Sequence, residues 1–137
     1  MNTHLKIGDE YTKGEIESIF ETNFGWLIKG ITLRKGLDGN SYIILFSKKS
    51  STFGSRIVDN ILYFCGERQD KGQKPTIANK TLMESNETGR RIYGFRKEGK
   101  RAVWKYLGIL KLIDYEYVDK DGFKTFEFRL KITNNIF

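Results

Sequence analysis

Residues 63–82 read YFCGERQDKGQKPTIANKTL. Tyr63, Phe64 and Cys65 close an apolar run that begins at Asn60, and Gly66 stops it. A charged, glycine-containing arm from Arg68 to Lys74 follows, and from Pro75 the composition turns helical. Proline suits a first helical turn, and Asn86 with Gly89 supplies exits, so a helix is expected over 75–86. A polar arm set directly between a strand and a helix raises the question of what it reaches.

Outward from this stretch, strand signals dominate. TFEFRLKI, residues 125–132, alternates strictly: Phe126, Phe128, Leu130 and Ile132 share one face, and Glu127, Arg129 and Lys131 the other. Asp119-Lys120-Asp121-Gly122 supplies turn residues, so WKYLGILKLIDYEYV and TFEFRLKI read as two arms of a hairpin. SYIILFS, NILYFCG and RIYGFR are short runs rich in β-branched and aromatic residues and read as strands, with KEGKR a tight turn. GEIESIF, residues 14–20, fits a helix or a strand. The order strand, strand, helix, strand, strand, strand predicts an α+β fold. Its expected form is a curved mixed sheet or partial barrel of six to seven strands with one or two helices.

The length of 137 residues is that of one domain, 1–137, and no repeat or linker divides it. No run approaches the roughly 18 apolar residues of a membrane span, and the first thirty lack a signal-peptide core, so a cytoplasmic protein is expected. Cys65, the one cysteine, precludes an internal disulfide and is expected to pack in the core rather than react. The net charge is +7 and unevenly spread. Residues 1–33 lean acidic, whereas Arg90, Arg91, Arg96, Lys97, Lys100, Arg101 and Lys105 face only Glu98 between 90 and 105. A strongly positive surface suited to a polyanion is expected, because neutralising phosphates releases condensed counterions.

Catalytic signals are sparse. His4 is the one histidine, so a histidine-based triad or pair has a single base to draw on, and cysteine and histidine together are too few for a familiar zinc site. No Walker-type loop or dinucleotide fingerprint is present. Glu98-Gly99-Lys100 has the letters of a magnesium-nuclease Glu-x-Lys pair, but in the basic KEGKR turn. Asp114, Glu116 and Asp119 read as a solvated rim. A non-enzymatic binding domain without a cofactor or a metal is expected.

The spacing Q-x-x-T-x-x-N-x-x-L in Gln73, Thr76, Asn79 and Leu82, after an aromatic strand ending in glycine, resembles the SRA (YDG) domain of the PUA-like superfamily. In that family a Tyr-x-Gly strand leads through an arm to a D-Q-x-L-T-x-x-N-x-A-L helix. GITLRKGLDGNSYIILFS looks like the family's opening and core strand, and STFGSRIVD stands where its pocket loop would be. Gly89 to Phe95 matches the strand after the helix, and Lys105-Tyr106-Leu107-Gly108 stands in for Tyr-Asp-Gly. The resemblance covers about residues 28–132.

The resemblance implies a domain that clasps double-stranded DNA, flips out a modified cytosine of the 5-methyl or 5-hydroxymethyl class, and stacks it between two rings. The polar arm then fills the hole in the duplex. Phe64, with Gly66 closing the motif, falls on the family's strand tyrosine, and Phe53 on the opposite wall; Tyr63 replaces Phe64 if the strand shifts by one. Asn79 falls on the helix asparagine. Where the family has an acid after the first aromatic this chain has Gly54, Ser55 and Arg56, with Asp59 the nearest carboxylate. Arg68, Gln69 and Lys71 are groove-insertion candidates. Arg34, Lys35, Lys48, Lys49, Arg56, Lys80, Arg90, Arg91, Arg96 and Lys97 are candidates for the phosphate path. Such a domain would serve as the specificity module of a modification-dependent restriction system, its nuclease in a fused domain or partner. The alternatives are a PUA-like RNA binder and a small magnesium nuclease around Glu98 and Lys100.

Overall fold

The computed structural model describes residues 5–26, 28–49, 55–69 and 74–133. In chain order the elements are β1 (Glu10–Thr12), α1 (Lys13–Phe20), β2 (Ile31–Lys35), β3 (Ser41–Lys48), β4 (Arg56–Val58) and β5 (Ile61–Cys65). They continue with α2 (Ile77–Met83), α3 (Ser85–Thr88), β6 (Arg91–Lys97), β7 (Val103–Lys120) and β8 (Phe123–Ile132). One eight-stranded mixed sheet has the order β2-β3-β6-β7-β8-β5-β4, with β1 laid on β7. β3 and β6 run parallel, and the other pairings are antiparallel. The strand count exceeds the expected six to seven; β1 and β4 have three residues each, too short for alternation to be read.

The β7–β8 hairpin forms as expected, its two-residue loop filled by Asp121 (φ 53°) and Gly122 (φ 87°). Both need positive φ there, which Asp-Gly supplies at little cost. The expected 75–86 helix starts later and breaks. Thr76 is the N-cap, accepting from the Asn79 amide, Glu84 separates α2 from α3, and Gly89 (φ 71°) ends α3. Asn86 is no exit: its Nδ2 donates to the Leu112 carbonyl. GEIESIF is a helix, because Thr12 and Glu15 form a reciprocal capping box at its start.

Strand alternation gives the sheet two apolar faces. Ile43, Leu45, Leu62, Phe64, Ile92, Phe128 and Leu130 pack with Leu82 of α2 on one. Tyr42, Ile44, Phe46, Tyr93, Phe95, Trp104 and Tyr106 pack under Ile16 and Phe20 of α1 on the other. The sheet curls until its far parts approach: Ser55 N–H donates to the Lys48 carbonyl, and a Cβ on Gly30 would lie 3.2 Å from the Phe64 ring. This is an unclosed partial barrel, and the seam where it nearly closes frames the candidate site.

Candidate nucleic-acid interface

Between strand and helix the chain is tied down at both ends of the arm. A Cβ on Gly66 would sit 2.2 Å from Asn79 Oδ1 and 2.7 Å from the Phe128 ring, so only glycine lets β5 run this close to α2. Asn79 is fully buried and acts as a substitute backbone partner: Oδ1 accepts from Glu67 N–H (2.8 Å), and Nδ2 donates to Glu67 O (2.9 Å) and Gln69 Oε1 (2.8 Å). The same Gln69 oxygen accepts from Thr76 N–H at 3.0 Å, while Gln69 Nε2 donates to Lys74 O. Gln69 therefore forms a neck that ties the end of β5 to the start of α2. The expectation that it inserts into a groove is corrected: Gln69 is 2% exposed, and both its amide oxygen and its amide nitrogen are engaged in holding that neck.

Phe64 lines a hollow of about 260 Å³ at the seam, together with Ile28, Gly30, Phe46, Ser47, Lys48, Ser55, Cys65 and Trp104. That is just below the ~300–1,000 Å³ of drug-sized sites, a size for one nucleobase. Phe46 and Trp104 belong to the core under α1 and meet edge-on at 5.0 Å, whereas Phe64 comes from the opposite core. Burial pushes the Cys65 thiol up, which keeps it protonated and unreactive near neutrality. Larger still is a groove of about 700 Å³ between β2 and α2, lined by Phe24, Ile31, Leu33 and Ile77 among others; it contains none of the residues expected in the base pocket.

Register decides between the two strand aromatics. Phe64 faces the core and the hollow, while Tyr63 is half-buried beneath the Arg56 guanidinium, 4.1 Å from its ring centre, and does not line the hollow. Asp59 is also misplaced by the sequence reading. It is exposed at φ 50° in the turn joining β4 to β5, at the opposite end of β5 from Phe64, and does not line the hollow. Among the described residues the hollow is thus lined without a carboxylate. Phe53 and Lys71 lie outside the described residues. Phe46 and Trp104 escaped the sequence reading because nothing in a strand's alternation tells which end meets a seam.

The basic residues do not form the single patch that their sequence clustering implied. Lys48 and Lys97 are register partners at one end of the parallel β3–β6 pair, beside the hollow, with Lys49 bonded through its N–H to Lys97 O. Arg91 pairs with Tyr42 at the other end, and Arg34 and Lys35 lie across from Tyr42 and Ser41 on β2. Six strand residues, about 20 Å, separate the ends. Arg34 is spent on Thr22 Oγ1, Leu33 O and Asn23 O. Arg90 and Arg91 line a separate polar cavity of about 570 Å³. Arg56 sits 3.9 Å from Glu127, Arg68 over the Phe123 ring at 5.6 Å, and Lys80 is exposed on α2.

Arg96 requires a correction as a free phosphate contact. Its side chain is 8% exposed and donates to Ser55 Oγ, Ser55 O and Glu98 Oε2. Glu98 also meets Lys105 Nζ at 3.5 Å, so its carboxylate is already shared between two cations. Asp114 and Glu116 are held by Arg129. Among the described residues no group of three or more acids, histidines or cysteines could hold a metal ion.

Solved structures share this architecture. The SUVH5 SRA domain in complex with fully methylated CG DNA aligns at TM-score 0.70 and 16% identity, over 99% of this chain and 94% of that one. The fold is that of an SRA domain. A SUVH5 SRA domain bound to fully hydroxymethylated CG DNA aligns at TM-score 0.71 and 17% identity, with the same coverage. KRYPTONITE, in complex with mCHH DNA, an H3 peptide and SAH, aligns at 0.70 and 15% identity over 96% of this chain but 32% of its own. No family model and no curated protein matches the chain. Phe64, Gly66 and Asn79 fall close in sequence because strand, close approach and helix are one connected unit.

Proposed function

We propose that this SRA-fold domain binds double-stranded DNA and takes a modified cytosine, flipped from the duplex, into the hollow faced by Phe64. The observation that carries the reading is the hollow itself: a nucleobase-sized space with an aromatic wall at the sheet seam, Lys48 at its side and the root of a polar arm four residues beyond Phe64. The structural neighbours hold methylated or hydroxymethylated DNA, which supports the same partner here. Flipping costs a few kcal/mol of stacking and pairing, which ring stacking and contacts to the base edge must return. In the cytoplasm the domain would act as the specificity module of a modification-dependent restriction system, with cleavage supplied by a fused domain or partner.

Burying a methyl contributes about 0.8 kcal/mol, roughly a fourfold preference, so any larger discrimination must come from the base edge or the substituent. The test is fluorescence anisotropy on matched duplexes carrying cytosine, 5-methylcytosine or 5-hydroxymethylcytosine, with single-stranded RNA alongside, at two salt concentrations. A preference of about fourfold or more for a modified duplex is expected. Equal affinity for all duplexes removes the reading, tighter RNA binding favours an RNA-binding module, and magnesium-dependent cleavage favours a nuclease.

The placement of the cations gives a second expectation. Lys48→Ala with Lys97→Ala weakens plain and modified duplexes alike and lowers the salt slope by about two, as loss of two phosphate contacts requires. A change confined to the modified duplex would place these lysines at the base instead.

A further inference from the structure

A guanidinium withdrawn from water is costly unless its donors are satisfied, and a phosphate contact needs them free. Arg96 has all three of its nitrogens engaged, Nε and Nη2 on Ser55, at Oγ (3.2 Å) and O (2.9 Å), and Nη1 on Glu98 Oε2 (3.2 Å). Ser55 in turn donates its N–H to Lys48 O at 2.9 Å, and Lys48 and Ser55 both line the hollow. On the neighbouring strand Ser47 Oγ donates to Phe95 O at 3.2 Å, so the wall is fastened to β6 at adjacent points. We infer that Arg96 is a positioning residue, a two-point staple from β6 to Ser55 that fixes the wall of the base-binding hollow. This rests on the proposed reading of that hollow.

Lysine keeps the charge but replaces the planar fork with a single ammonium, so it cannot hold Ser55 at two points. Arg96→Lys is therefore the variant to compare with wild type. Duplex anisotropy at two salt concentrations is read beside hydrogen exchange of the 47–57 segment, with Ser55→Ala as a milder second variant should the first fold poorly. Arg96→Lys should bind plain duplex within about twofold of wild type, with an unchanged salt slope. It should lose about threefold of the preference for modified duplex and exchange faster over 47–57. Ser55→Ala, which keeps the carbonyl acceptor, should lose about twofold.

Equal weakening of both duplexes with a salt slope lowered by about one would make Arg96 a phosphate contact and overturn the inference. Unchanged preference with unchanged exchange would overturn it as well. If wild type shows no preference, the reading of the hollow fails and takes any specificity role of Arg96 with it. The exchange data then judge the hold on Ser55 alone, and unchanged exchange would refute that too.

Discussion

Asn79→Asp loses about 3–5 kcal/mol of stability near neutral pH, enough to threaten folding in a domain whose total is typically 5–15 kcal/mol. In the native protein Nδ2 points at two acceptors, Glu67 O and Gln69 Oε1, and the side chain is fully buried. A carboxylate places negative oxygen against both. The site therefore raises the new carboxyl's folded-state pKa above its unfolded value. Its protonated form is tolerated, and the penalty is absent below the unfolded pKa and grows as pH rises through the folded one. Urea denaturation of variant and wild type at acidic and neutral pH should show a gap that narrows on acidification. A gap that stays constant or widens would mean that the asparagine is not the bracket described. Gly66 offers no relief, because the backbone cannot withdraw from Asn79 without losing the Gly66 N–H bond to Phe126 O (2.9 Å).

Phe64→Leu keeps plain-duplex affinity within about twofold yet removes the preference for a modified base, lowering affinity for that duplex by the whole of that preference, about fourfold or more. The ring can carry this because an aromatic platform stacks a base by ~1–3 kcal/mol, at least as much as the preference requires. Leucine is the informative substitution because Phe64 is 7% exposed and also packs in the core. Truncation to alanine would cost about 3–5 kcal/mol and confuse unfolding with loss of recognition, whereas a large aliphatic side chain costs less than ~1.5. Anisotropy on plain and modified duplexes, with a thermal melt to confirm folding, reads the result. Discrimination that survives in folded Phe64→Leu would remove the ring from the recognition surface.

Both variants test features the sequence displays locally. Asp121-Gly122 announced a tight hairpin and TFEFRLKI its buried face, because turn chemistry and period-two alternation are properties of neighbouring residues. The Gln73–Leu82 pattern likewise exposed the strand-arm-helix unit. The signal Thr12-Lys13-Gly14-Glu15 would have settled α1 as a helix. What the sequence hid depends on strands brought together from afar. The parallel pairing of β3 with β6 sends Arg91 and Lys97 to opposite ends, and the seam turns Arg96 inward. A run of basic letters cannot reveal either. Gln69 misled for a different reason: its partners Lys74, Thr76 and Asn79 are near in sequence but follow no helix or strand period, so no local pattern marks the side chain as engaged.

Gln69 ties the chain that leaves β5 to the chain that enters α2, through Lys74, Thr76 and Asn79. Because the entropy of closing a loop grows slowly, about 0.6 kcal/mol for each doubling of length, insertions above the tie are inexpensive and leave the scaffold untouched. Changes of length between Gln69 and Lys74 would therefore leave the Gln69–Asn79 bracket, and the sheet it is anchored to, as they are.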